Sequence, residues 1–242
     1  MLHGLGGSIG DWTFMIPFLS KKYQLILLDL KGFGKSKSLR NSKEYTIQRL
    51  AQEVETLLSH IGISRFGLVG FSFGGAVAFQ MASKKTTPLS ITSLVIICSQ
   101  PSYRLTNRKM KVEYYFRYLL LKTFGIKVMA SVISKRLFPG DNQDELKLFV
   151  KNGLRSNNTQ TYLDAMKALV SWSVEDKLAD INIPVLVIGA DRDYSSLDCT
   201  GYANKLPNAT VTIVEDCGHA SLIEKPVELS SAIEDFVPAN EY

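Results

Sequence analysis

Among the side chains that could do chemistry, Ser72 stands in the most specific setting, within Gly70-Phe71-Ser72-Phe73-Gly74. The apolar stretch Phe66–Gly70 before it has strand character, and the small-residue stretch Gly74–Lys84 after it has helix character. A tight turn from strand to helix needs glycines, because side chains there would collide with the crossing elements. Such a turn would hold the Ser72 hydroxyl above a sheet and aim the Phe73 N–H at a reacting carbonyl. The helix N-terminus would add partial positive charge where an oxyanion forms. A serine hydroxyl needs a base to become a nucleophile, and the sequence holds three histidines. His60 falls on the polar side of a helix-period segment, and His3 sits in a glycine-rich opening loop. His219, in Asp216-Cys217-Gly218-His219, follows the strand-like Thr210–Val214. Loops at the C-terminal edge of parallel strands are where such sheets carry their sites, so His219 is the expected base. A carboxylate should fix the imidazole tautomer, and Gly189-Ala190-Asp191-Arg192-Asp193 offers two, Asp191 and Asp193.

The elements that must position these groups alternate. Gln24–Leu30, Phe66–Gly70, Ser93–Cys98, Val185–Ala190 and Thr210–Val214 read as strands, and Tyr45–Ile61, Gly74–Lys84 and about Val227–Phe236 as helices. Continuous apolar strands separated by helices predict an α/β fold, with a mostly parallel sheet covered on both faces. The middle segment, residues 102–172, breaks the alternation. It reads as helices over Lys109–Phe124, Val128–Leu137, Asp144–Arg155 and Thr159–Ser171, an excursion resembling a lid inserted in a single domain over residues 1–242.

Composition bounds the remaining classes. Hydrophobic residues make up 45% and charged residues 21% of 242, which excludes general disorder. No apolar run approaches the roughly 20 residues of a membrane span. Cys98, Cys199 and Cys217 form no CxxC, so neither a disulfide framework nor a zinc site is expected. The opening MLHGLGGSIGDW lacks the form of a secretory leader, and a reducing cytoplasm is the expected compartment. The net charge of +5 is unevenly spread: the middle segment carries 13 basic against 5 acidic residues, the rest 15 against 18. No nucleic-acid module accompanies that excess, so no nucleic-acid partner is expected. Gly34-Lys35-Ser36 imitates the end of a phosphate-binding loop, but Asp29 stands where its first glycine would be.

These features together resemble the α/β-hydrolase fold family, in its lid-bearing esterase and lipase-like form. The resemblance rests on His3-Gly4-Leu5-Gly6-Gly7-Ser8, Asp29–Ser36, Gly70–Gly74, Pro184–Asp193, and Gly218-His219-Ala220 followed by Glu224-Lys225-Pro226. It implies a Ser…Asp…His order and favours Asp193 over Asp191 as the triad acid, although Ala190 replaces the family's usual glycine. It also implies that Leu5 and Phe73 amides form an oxyanion hole, and that no cofactor or metal is used. The implied function is a serine hydrolase (carboxylesterase type) acting on a small-molecule acyl substrate. Thioesterase, C–C hydrolase, acyltransferase and cofactor-free haloperoxidase-like chemistry lie within the same fold. A non-catalytic binding protein or inactive remnant is the alternative from another class. The aromatics Tyr103, Tyr114, Tyr115, Phe116, Tyr118 and Phe124 are expected to set substrate size or to form the apolar face of the lid. Its basic charge could draw anionic substrates or a membrane surface, the lesser expectation for a charge run that is usually solvated. The family's sheet begins with strands before the His-Gly loop, whereas only Met1 and Leu2 precede His3 here. The first strands are therefore expected to be missing, as in a truncated copy or one that completes its sheet differently.

Overall fold

The computed structural model describes residues 1–36, 45–84, 89–140, 142–195 and 197–238. Four parallel strands lie side by side in the order β1 (Arg65–Phe71), β2 (Ser90–Ile97), β3 (Val185–Ala190), β4 (Ala209–Val214). Register pairs Gly70 with Ile96, Ile97 with Ile188 and Ala190 with Val214. Alternate side chains feed two cores. Leu94, Ile96, Val185 and Val187 point into one, and Val95, Ile97, Leu186 and Ile188 into the other. Helices cover both faces, so these strands read as unbroken Val/Ile/Leu runs.

The larger core is covered by α2 (Ile47–His60), which buries Ile47, Leu50, Val54 and Leu58 at helical spacing, and by α3 (Phe73–Ala82). Thr46 caps α2 by accepting the Arg49 N–H. The other core is closed by α1 (Ile16–Leu19) and the last helix (Pro226–Phe236), through Leu19, Leu229 and Ile233. Each such aliphatic side chain, fully buried, contributes about 1.5–3 kcal/mol.

Between β2 and β3 run α4 (Arg108–Leu137), α5 (Asp144–Arg155) and α6 (Thr159–Val170). The two helices expected over Lys109–Phe124 and Val128–Leu137 are joined in α4 across a kink. It falls at Gly125, whose φ of 73° a side chain would resist. The two ends of the excursion are tied by a Ser102–Ser173 bridge, with Val174 N donating to Pro101 O at 2.9 Å.

The strand expected over Gln24–Leu30 needs correction. Among the described residues the segment makes one bridge, Leu28 to Leu2, and Leu2 bridges Gly70 on its other side. Leu2 N donates to Val69 O and Phe71 N to Leu2 O, at 2.9 and 3.0 Å. Leu2 thus lies between Leu28 and β1. Fully buried, Leu2 also fixes where α3 can lie. A Cβ on Gly74 would stand 2.3 Å from Leu2 O and 2.7 Å from His3 O. Both obstacles are backbone, so Gly74→Ala should cost about 3 kcal/mol or more; chemical denaturation would measure it, and an unchanged midpoint would refute this close approach.

No helix among the described residues is long and apolar enough to cross a membrane. Cys98, Cys199 and Cys217 are free and buried.

Candidate active site

The turn at the end of β1 puts Ser72 at φ 49°, ψ −112°, a strained setting for a residue with a side chain. Two contacts hold it there: Ser72 N donates to Ile97 O at 2.9 Å, and Ser99 Oγ donates to Ser72 O at 2.7 Å. Ser99 Oγ in turn lies 3.1 Å from the buried Tyr103 hydroxyl. A Cβ on Gly70 would fall 2.6 Å from Gly74 O, so the sharp turn requires a bare backbone at that point.

His219 arrives on the loop after β4, and its Nε2 lies 3.0 Å from Ser72 Oγ. Its Nδ1 lies 2.7 Å from Asp193 Oδ2. Burial raises the Asp193 carboxyl. The hydrogen bond from His219, the His219 charge and the Ser195 donors outweigh it, leaving the group below its ordinary range. An ionised carboxylate has no proton to give, so the network assigns the proton to Nδ1 and leaves Nε2 to accept from the Ser72 hydroxyl. The other oxygen, Asp193 Oδ1, accepts from Ser195 N at 2.8 Å and from Ser195 Oγ.

Asp191 is placed differently. Its Oδ1 accepts the Cys217 N–H at 2.9 Å, while Arg192 N donates to Cys217 O and the Arg192 side chain pairs with Asp216. These bonds lace the loop after β3 to the loop that carries His219. Glu224 Oε2 accepts Gly218 N at 3.2 Å and steadies that loop from its far side.

The glycine-rich loop passes beside Ser72; a Cβ on Gly4 would stand 3.6 Å from Ser72 Cβ. Among the described residues, the Leu5 and Phe73 N–H groups have no protein acceptor. His3 is fully buried, with Nδ1 2.8 Å from Gly4 O and Nε2 accepting from Leu30 N at 3.0 Å. Burial lowers its pKa to about 4, so it is a neutral brace for the loop. His60 is exposed at the end of α2. Asp29 accepts from Ile9 N and Lys35 N, both at 2.8 Å, and so ties two turns together.

Asp11 folds back on the same loop, accepting Ser8 N at 3.4 Å and lying against Gly7. Burial, helped by the Asp29 charge and opposed by the Ser8 amide, raises its carboxyl from 3.8 to about 7. A carboxyl raised on folding contributes stability that is complete below its unfolded value and lost as pH climbs through its folded one. Melting temperature should therefore fall between about pH 4 and pH 7 in the wild type. Asp11→Asn keeps the Ser8 acceptor and should flatten that decline, gaining on the order of 2 kcal/mol at pH 7 and above. Parallel pH profiles for both proteins would leave Asp11 without this role.

Sequence reasoning missed Ser195 and Tyr194. Asp193-Tyr194-Ser195 is an Asx-type turn, and the Asp-x-Ser spacing was its available signal. The Tyr194 ring packs 5.2 Å from the imidazole, with Phe71 5.5 Å away on another side. Arg136 from α4 stands 4.4 Å over the Tyr194 ring; no sequence pattern announced that contact. A cavity of about 60 Å³ opens there, lined by Arg117, Leu120, Met129, Ile133, Arg136 and Tyr194 among others. Of the six aromatics expected to line the excursion, Tyr103, Tyr114 and Tyr118 pack toward the core, whereas Tyr115, Phe116 and Phe124 face outward.

Cys98, Asp193 and His219 form the one set among the described residues whose donor atoms, all within 4.8 Å of one another, could approach a metal ion. The fit is poor. Both imidazole nitrogens are engaged, and burial first, with the Asp193 charge second, pushes the Cys98 thiol well above its ordinary value.

Residues 1–226 match the family model described as alpha/beta hydrolase fold. The chain is 28% identical to a putative carbamate hydrolase, RutD, of Pseudomonas savastanoi pv. phaseolicola, covering 98% of this chain and 92% of that protein. It is 26% identical to a pimeloyl-[acyl-carrier protein] methyl ester esterase of Aeromonas hydrophila, covering 98% and 94%. Among solved structures, the enol-lactonase of Burkholderia xenovorans LB400 superposes with a TM-score of 0.86 over 97% of this chain and 88% of that one; at 20% identity this likeness speaks to the fold alone. With the family model spanning nearly its whole length, the chain belongs to the alpha/beta hydrolase family.

Proposed function

We propose that this protein is a serine hydrolase that cleaves a carboxylic ester, or a closely related acyl bond, through an acyl-enzyme. The observation that carries the reading is the continuous relay from Asp193 Oδ2 through His219 to Ser72 Oγ, at 2.7 and 3.0 Å, with the Leu5 and Phe73 amides, which have no protein acceptor among the described residues, nearby. Ser72 Oγ attacks the carbonyl carbon while His219 Nε2 takes its proton. Asp193 holds the imidazole in place and stabilises the imidazolium. Negative charge on the carbonyl oxygen is met by the Leu5 and Phe73 N–H groups, with the α3 N-terminus behind Phe73. His219 then protonates the departing alcohol oxygen. In the second half it draws a proton from water, which attacks the acyl carbon, and returns that proton to Ser72 Oγ as the acyl–oxygen bond breaks, releasing the acid. No step calls on a cofactor.

The names of the relatives support this class of reaction. A carbamate and a methyl ester both present a carbonyl bearing a heteroatom leaving group. Thioester cleavage, acyl transfer and C–C hydrolysis share the same first attack and differ in the leaving group or acceptor. Residues 102–172 serve as the lid, and the inward Tyr103, Tyr114 and Tyr118 belong to its substrate side.

A fluorophosphonate probe tests the reading directly. The wild-type protein should label covalently, and Ser72→Ala should not. A folded wild-type protein that takes no label is a binding protein instead. Short and long acyl p-nitrophenyl esters, with thioesters alongside, would then rank the acyl bonds.

A further inference from the structure

The outward face of α4 takes no part in the Asp193–His219–Ser72 relay, although Phe116 and Val132 also edge the cavity beside Tyr194. Val112, Tyr115, Phe116 and Leu119 recur at i, i+3, i+4 and i+7, which places them on one side of the helix. Each is 62–64% exposed. Beyond the Gly125 kink, Val128 and Val132 continue the exposed apolar surface, 41% and 44% exposed. A soluble helix ordinarily turns such a stripe inward, and an exposed run of this length marks an interaction surface.

Charge identifies what the surface fits. Over Arg108–Leu137 there are eight Lys and Arg residues against one acid, Glu113. That acid is already engaged by both Arg117 and Arg136, at 2.8 and 2.6 Å. Exposed Lys109 lies on one flank of the stripe and exposed Lys111 and Lys122 on the other. We propose that the α4 face docks this protein on an anionic lipid surface, its apolar stripe entering the interface and its lysines meeting the headgroups. Two copies of the chain meeting through this face would bring together two segments that each carry 13 basic against 5 acidic residues. That repulsion disfavours a second copy as the occupant. The stripe is also flanked by cations, which suits a fluid, negatively charged plane.

Sedimentation of the full chain with sucrose-loaded vesicles tests the proposal without reference to catalysis. Vesicles of phosphatidylcholine with about 30% phosphatidylglycerol, in about 0.1 M salt, should carry the wild-type protein down. Vesicles of phosphatidylcholine alone should bind at least about tenfold more weakly. Val112→Ser/Leu119→Ser and Lys109→Glu/Lys111→Glu should each lose roughly tenfold or more in partitioning. All these positions are exposed, and unchanged melting curves would show that the variants fold. The proposal is overturned if wild type ignores anionic vesicles, or if the variants bind as well as wild type. It is equally overturned if wild type is a dimer in solution that Val112→Ser/Leu119→Ser dissolves, which would assign the face to a second copy.

Discussion

Replacing Ser72 by alanine should lower kcat for a p-nitrophenyl ester by about 10⁴–10⁶-fold while leaving substrate binding and thermal stability nearly unchanged. The size of the effect follows from the kind of group removed. Without the hydroxyl no acyl-enzyme can form, and the polarised His219 Nε2, 3.0 Å away, has no nucleophile to deprotonate. The amides of Leu5 and Phe73 remain, so a residual rate above that in water should persist. Stability should respond in the opposite sense to a related change. Ser72 sits at φ 49°, where glycine is at ease and alanine is not. Ser72→Gly should therefore be inactive and more stable than Ser72→Ala by about 1 kcal/mol. Such a pair of results would locate the strain at the reacting residue, as expected where a fold gives up stability to present a side chain. Steady-state kinetics of Ser72→Ala within tenfold of wild type would end the proposed mechanism.

What could be read from the sequence divides along physical lines. β3, over Val185–Ala190, was legible to the residue because it is buried on both faces and reads as an uninterrupted apolar run. Ser72 and His219 could be expected near one another because each ends or follows a strand of one parallel sheet, and such strands deliver their loops to a common edge. Gln24–Leu30 had the same apolar signature, yet a ladder depends on its neighbour, and Leu2 offers a single bridge. Local pattern carries no information about which partner an apolar segment will meet. The same limit hid Tyr194. Its place between His219 and Arg136 joins residues from the β3 loop, the β4 loop and α4, an encounter set by tertiary packing. In α4 the aromatic residues were visible but their direction was not. Tyr114 and Tyr118 face the core while Tyr115 and Phe116, next to them in sequence, face outward. Apolar and aromatic residues stand on both sides of this helix, so its period alone does not say which side meets the core.

Asp193→Asn should reduce kcat by about 10⁴-fold with little change in KM, whereas Asp191→Asn should stay within about fivefold of wild type. The amide and the carboxylate have nearly the same shape, so the prediction turns on protons. Asp193 Oδ1 already receives two donors, the N–H and the hydroxyl of Ser195. An asparagine would keep its carbonyl oxygen toward those donors and turn its NH₂ toward His219. That NH₂ can only donate, so His219 Nδ1 must accept and its proton moves to Nε2. The imidazole then presents an N–H to Ser72 where a lone pair is needed, and general-base catalysis stops although every atom is nearly in place. Asp191 is held by backbone donors, the Cys217 N–H first with Asp216 and Arg192 N–H beside it, and does not touch His219; an asparagine oxygen can still meet the Cys217 N–H. The pH dependence should agree. Because the folded Asp193 carboxyl is held below its ordinary range, its contribution to stability is complete above that range and is lost as pH falls through the lower, folded value. Asp193→Asn should flatten that acid limb. If Asp191→Asn instead produced the large loss and Asp193→Asn the small one, the acid would belong at residue 191, and the 2.7 Å contact between Asp193 and His219 would have no catalytic meaning.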